Sequence, residues 1–262
     1  MSRIPEAAEA FQKAGITALI YDPRSVGESE GEPRNDIDPY KQIEDFSDAA
    51  TFLSSLPEVD RHRIAVWGIS LSGAVALSAA SLDTRIKLVI AVCPAVEYTY
   101  DEQKISKVLA KCAQDRESQS KGNPPLYIPT FNAFGENPAG FEFGYERERA
   151  AKIFQAGVQL APNHVNRTTI QSYFKLLTWH PSSIWKAFGT KPVLFIVPEN
   201  DTLCPPEVQL RHFESFKGPK KHYVQKDRGH MDVLDGDNFD DLMKMQIDFM
   251  NESLSVDGAA AP

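Results

Sequence analysis

The chain has 262 residues, 42% of them apolar, enough for one large domain with a sizeable core or for a domain carrying an inserted cap. Lys and Arg total 28 against 36 Asp and Glu, a formal net charge of −8, which argues against nucleic-acid and anionic-membrane partners. Cys93, Cys112 and Cys204 are odd in number and widely spaced, so they suggest neither a disulfide framework nor a zinc site. No stretch approaches the length of a membrane span, "MSRIPEAAEAF" lacks the apolar region of a secretory signal, and "DGAAAP" is not a receptor-read address, so a cytoplasmic protein is expected.

Ala7, Phe11 and Ala14 stand at helical spacing and Gly15 closes them, which predicts a helix over 5–14; "ITALIYD" (16–22) then reads as a buried strand. Asp38 and Pro39 offer a cap and a first-turn residue for an amphipathic helix running through Ile43, Phe46, Ala50, Leu53 and Leu56. "RIAVWG" (63–68), a helix of small residues over 74–80, and "IKLVIAVC" (86–93) complete a β-α-β-α-β order. Continuously apolar strands separated by helices mark a parallel sheet covered on both faces. The pattern resumes with "KPVLFIVPEND" (191–201), a helix in "PEVQLRHFESF", "KHYVQKD" (221–227), and a closing helix over 238–252 with Phe239, Leu242, Met243 and Phe249 inward. The fold class is therefore α/β, a mostly parallel, doubly wound sheet.

Between these blocks the alternation stops. A charged helix near 101–117, the stretch "GNPPLYIPTFNAFGENPAGFEFG" and further helical segments read as a helical cap over 97–188, inserted into a core of 1–96 and 189–262. Tyr127, Phe131, Phe134, Phe141 and Phe143 in it either line a pocket or hold a loop-rich cap together.

A serine hydroxyl is a weak nucleophile near neutral pH and needs a histidine to take its proton and an acid to orient the imidazole. "VWGISLSG" (66–73) places Ser70 between a predicted strand and a predicted helix, with Gly68 and Ser72, both small, two residues to either side. That is the composition a strained strand-turn-helix elbow requires, although the second glycine of G-x-S-x-G arrives one residue late, at Gly73. The competing reading is an ordinary Gly/Ser turn at a strand end. For the acid, Asp201 follows an apolar strand, where parallel sheets place functional groups, with Glu199 as the second choice. For the base, only His230 of the six histidines sits in a loop after the last strand. The turn lacks G-x-G-x-x-G, and no lysine follows it, so nucleotide binding fits poorly.

The order Ser70, Asp201, His230 resembles that of the α/β-hydrolases. "YDPRSVGESEG" (21–31) is similar to that family's Y-D-x-R-G-x-G-x-S-x-G loop, with Ser25 replacing a usual glycine and Asp22, Arg24 and Gly27 read as structural. Within the family, "EPRNDIDPYKQIEDFSDAATFLSSLPEVDRHRIAVWGISLSG" and "QSYFKLLTWHPSSI" with "PVLFIVPENDTLCPP" resemble the fungal polyketide-transferase-like branch and related dienelactone-hydrolase-like esterases of secondary metabolism. The resemblance runs over about 5–250. It implies a serine hydrolase or acyltransferase that takes a small hydrophobic, polyketide-like ester or thioester through an acyl-enzyme, with no cofactor and no metal. The Leu71 N–H would be one oxyanion donor. A second comes, in the family, from a His-Gly loop before the first helix, yet this chain begins at that helix. The strand belonging between 16–22 and 63–68 is thus expected to be absent, so that the flanking strands close up directly or another chain, as in a homodimer, supplies one. A non-catalytic or truncated remnant that binds a ligand without turnover is the rival reading.

Overall fold

The computed structural model describes residues 3–98, 100–132, 134–141 and 165–255, together with Lys152, Gln155 and Gln159. They form two compact units: Met1–Ile20, Ile43–Val96 and Pro181–Pro262 make one, Tyr21–Gln42 and Glu97–His180 the other.

Helix α1 (Ile4–Lys13) opens with Pro5 and Glu6 in its first turn and buries Ala7 and Phe11, one turn apart. Gly15, at φ +80°, ends it. Residues 16–22 do not form the expected strand: no ladder includes them, and Leu19 and Ile20 are 37% and 52% exposed. An apolar run carries strand propensity, but a strand exists only where a neighbour completes its ladder. Nor do the flanking segments close up, because β1 (Ile64–Ile69) pairs with β2 (Ile86–Val92) alone among the described residues. Helix α2 (Pro39–Ser55) starts where Asp38 Oδ1 accepts the Lys41 N–H at 3.3 Å and buries Ile43 and Ala50. Between β1 and β2, α3 (Leu71–Leu82) is buried nearly all round, which its small residues permit; Ser78 Oγ donates to Ala74 O and accepts from Trp185 Nε1 at 3.0 Å.

Arg85 ties α2 to the start of β2. Its Nε lies 3.0 Å from Asp83 Oδ1 and its Nη2 2.6 Å from Oδ2, while the Ser47 hydroxyl donates to Oδ2 at 2.6 Å. Hydrogen bonding to Arg85, opposed by burial and helped by Ser47, holds the Asp83 carboxyl well below the usual carboxylate range. A carboxyl depressed in this way stabilises the fold above its unfolded value of about 4 and loses that contribution as pH falls through the folded value. Asp83→Asn is expected to lower stability by roughly 1–2 kcal/mol at neutral pH and by less in acid. Urea melts of both proteins at pH 6 and pH 3 check this, an equal difference at the two pH values refuting the linkage.

In the second unit, α4 (Glu102–Gln119) is capped by Asp101, which accepts from the Gln103 and Lys104 N–H groups. A ladder too short to leave a periodic signal, β3 (Tyr127–Ile128) antiparallel to β4 (Thr168–Thr169), was not anticipated from the sequence. Thr169 caps α5 (Ile170–Leu177), accepting the Ser172 N–H at 3.2 Å. Of the five aromatics singled out above, Phe141 packs its ring against Tyr98, Tyr100 and Tyr173. Tyr127 lies beneath Arg167, Phe134 is 56% exposed, and Phe143 falls outside the described residues. In the loop 22–36, a Cβ on Gly27 would stand 2.1 Å from Asp22 Oδ2, which accepts the Glu28 N–H, in keeping with the structural reading of both residues. Ser25, where a glycine is usual, takes φ +68° and is held by Oγ donating to Asp36 O at 2.9 Å.

The chain then adds β5 (Val193–Pro198), α6 (Pro206–Glu214), β6 (Lys220–Gln225) and α7 (Phe239–Leu254). All four long strands are parallel, in the order β1-β2-β5-β6. Leu88, Ile90 and Val92 of β2 enter one core cluster with Phe11 of α1 and Phe239 of α7, and their neighbours Val89 and Ala91 are equally buried, so the sheet is covered on both faces. Lys220, Lys221 and His222 lie on the edge strand β6, where charge discourages further pairing. Ile69, Val92, Ile196 and Tyr223 align in register across the sheet, so the loops leaving β1, β5 and β6 emerge at the same end. No helix among the described residues is long and apolar enough to cross a membrane.

Candidate active site

That end of the sheet carries the three residues singled out from the sequence, all in the first unit. Ser70 sits between β1 and α3 at φ 57°, ψ −126°, a conformation that L-residues adopt only under restraint. The restraint is backbone hydrogen bonding: Ser70 N–H donates to Val92 O at 2.9 Å, and Ser70 O accepts from Gly73 N–H at 2.9 Å and Ala95 N–H at 3.0 Å. A Cβ on Gly68 would stand 2.3 Å from Ser72 O, so only glycine fits there; one on Gly73 would meet Gly68 O and Pro94 at 3.2 Å. The displaced glycine thus serves the close passage of α3 past Gly68 and Pro94, while position 72 accommodates a serine side chain.

Asp201 follows β5 and is buried. Its Oδ1 accepts the N–H groups of Leu203 at 3.1 Å and Cys204 at 3.0 Å, and its Oδ2 lies 2.8 Å from His230 Nδ1. Glu199, the second choice, is exposed and accepts the Asp227 N–H at 3.0 Å instead. His230 is 0% exposed, in a loop pinned where Asp232 Oδ1 accepts the Gly229 N–H at 2.7 Å. Its Nε2 lies 2.6 Å from Ser70 Oγ. An ionised carboxylate only accepts, so Nδ1 carries the proton and donates to Asp201, which leaves Nε2 bare to accept from the Ser70 hydroxyl. Of the remaining histidines, His62, His180 and His222 are exposed, His212 packs edge-on against Trp185, and His164 lies outside the described residues.

Leu71 is the first residue of α3, so its N–H belongs to the donors a helix cannot bond internally, at the end of the helix where the dipole favours negative charge. Two neighbours escaped the sequence reading. Cys93, at φ 37°, is buried with Sγ 3.7 Å from His230 O, and loss of solvent pushes its thiol well above the ordinary cysteine range, so it packs as a neutral group. Gln209 of α6 donates from Nε2 to Asp201 Oδ2 at 2.9 Å. Neither lies in a motif, and only their position in space connects them to the site.

Comparisons with known proteins place the chain in a family. Residues 1–231 match the family described as "Serine aminopeptidase, S33". The chain is 46% identical over 247 residues to a thiohydrolase of Eupenicillium brefeldianum, covering 94% of this chain and 80% of that one. To polyketide transferase claH of Penicillium crustosum it is 43% identical over 260 residues, covering 97% and 84%. Its structure is similar to that of the alpha/beta hydrolase GrgF from Penicillium sp. sh18, with a TM-score of 0.84 at 36% identity, covering 96% of this chain and 85% of that one. Matched over most of its length, the chain belongs to the serine aminopeptidase family of α/β-hydrolases and is an enzyme.

Proposed function

We propose that this serine hydrolase or acyltransferase cleaves a thioester or ester of a small hydrophobic, polyketide-like acyl compound, with Ser70 as nucleophile, His230 as base and then acid, and Asp201 as its orienting partner. The observation that carries the reading is the continuous hydrogen-bonded path from Ser70 Oγ through His230 to Asp201, with links of 2.6 and 2.8 Å. As Ser70 Oγ bonds to the acyl carbon, its proton passes to His230 Nε2. The resulting imidazolium is stabilised by Asp201, and the oxyanion receives the Leu71 N–H. Collapse breaks the bond to the leaving group, which departs with the Nε2 proton. Water or an alcohol then attacks the acyl-serine, giving its proton to Nε2 and releasing Ser70 Oγ, which is reprotonated. The names of the relatives, thiohydrolase and polyketide transferase, favour a thioester as donor and leave water and an alcohol both open as acceptor. The alternative of a ligand-binding remnant without turnover is not favoured. A cytoplasmic location belongs to the same reading, supported by three buried free thiols.

Trapping tests it. Mixing the protein with a medium-chain acyl thioester is expected to release free thiol and to leave the acyl mass on the proteolytic peptide containing Ser70. Product analysis with and without an alcohol separates the acceptors, since a new ester marks transfer and the acid alone marks hydrolysis. Thiol release with the acyl group on another residue would reject the mechanism.

A further inference from the structure

Asp201 receives four hydrogen bonds, and three of them suffice to describe the relay. Oδ1 takes two backbone N–H groups from its own loop, and Oδ2 takes His230 Nδ1. The fourth comes from Gln209 Nε2, which lies 2.9 Å from Oδ2 and also donates to Cys204 O at 2.6 Å. Gln209 is 0% exposed. Both groups facing that nitrogen can only accept, so the chemistry fixes the orientation of the amide: the reverse would set Oε1 against a carboxylate and a carbonyl. The consequence is that Gln209 Oε1 is buried with no hydrogen-bond partner among the described residues. An orphaned buried carbonyl lowers stability, and an apolar side chain of the same length would remove the defect.

We propose that Gln209 is a positioning residue for the reaction, its amide fixing the plane of the Asp201 carboxylate so that Oδ2 stays on His230 Nδ1 while the imidazole gains and returns its proton. The inference rests on the Ser70–His230–Asp201 reading. Turning the carboxylate about its Cβ–Cγ bond displaces both oxygens, and the two N–H groups resist that motion only at Oδ1, the oxygen away from His230. A second, rigidly held donor on Oδ2 stops that rotation. Gln209 reaches this oxygen from α6 and bonds Cys204 O as well, so it ties that helix to the loop that carries Asp201.

The test is Gln209→Met, close in size but without donor or orphaned carbonyl, with Gln209→Leu as a smaller replacement if Met is not accommodated. Expected are a kcat lowered roughly 10- to 100-fold, KM little changed, and a thermal midpoint that moves little, since removal of the orphaned carbonyl offsets the donor lost to Asp201 Oδ2 and Cys204 O. The far-downfield proton resonance of the His230 Nδ1–H in the wild-type protein should broaden or move in the variant. A lowered midpoint with kcat intact would mean a structural role only and would overturn the proposal. Ser70→Ala is assayed in parallel: if it still turns over, the relay reading itself fails, whereas an inert Ser70→Ala beside a fully active Gln209→Met overturns only the assignment of Gln209.

Discussion

Ser70→Ala is expected to lower kcat roughly 10⁵- to 10⁶-fold, about 7–8 kcal/mol of transition-state stabilisation, while leaving the fold in place. The loss is large because the hydroxyl is the bond-forming group, and with it gone His230 and Asp201 have nothing to activate; such units lose nearly all their effect when one member is removed. Residual rate of about 10³-fold over the uncatalysed reaction would come from substrate binding and the donors at the start of α3. Stability should move little, because alanine meets the same backbone restraint at φ 57° and the deletion removes a single side-chain hydrogen bond, that of Ser70 Oγ with His230 Nε2. Labelling by a fluorophosphonate, followed with thioester turnover and a thermal melt, checks all three points. Equal labelling of variant and wild type would remove Ser70 as the nucleophile.

Gly68→Ala is expected to destabilise the protein by about 3 kcal/mol or more, a fall of roughly 6–12 °C in thermal midpoint for a chain of this size. The new methyl would lie 2.3 Å from Ser72 O and 2.8 Å from Gly73 N, both backbone atoms in the first turn of α3, so no flexible side chain can yield. The turn itself must move. Since that turn carries Ser70 and the Leu71 N–H, a shift of even ~1 Å should also cost about 10²-fold in kcat. Gly73→Ala is the internal control: its nearest contacts are 3.2 Å, so the neighbours need yield only a few tenths of an ångström and both effects should be smaller. Differential scanning calorimetry and turnover on the two variants decide the matter, and equal behaviour would show that the elbow is not the constrained element described.

The helices were the most legible elements. The spacing predicting a helix over 5–14 corresponds to Ile4–Lys13, and the closing helix buries Phe239, Leu242, Met243 and Phe249 as its period implies. Each of these signals lies within a few turns of one helix, so no distant residue is needed to interpret it. The strand in "ITALIYD" failed for the converse reason. Its apolar run was read correctly as composition, but a ladder is a property of two segments, and none of the described residues pairs with it. The short pair β3 and β4 was invisible on the same grounds, two residues being too few to carry a period.

At the site, residue chemistry and chain order singled out Ser70, Asp201 and His230, because nucleophile, acid and base are distinct side-chain types that follow strands of one kind. The register of four parallel strands then brought together partners 160 and 29 residues apart. Three choices belonged to the tertiary structure alone. Asp201 rather than Glu199 turns toward His230, because its loop donates two N–H groups that fix its direction. Gly73 rather than residue 72 is the second constrained glycine, because α3 passes Pro94 there. Gln209 joins Asp201 from a separate helix, a meeting no local pattern encodes. Local chemistry is written in single residues and their near neighbours; which carboxylate, which glycine and which amide serve the site depends on distances set only when the sheet has folded.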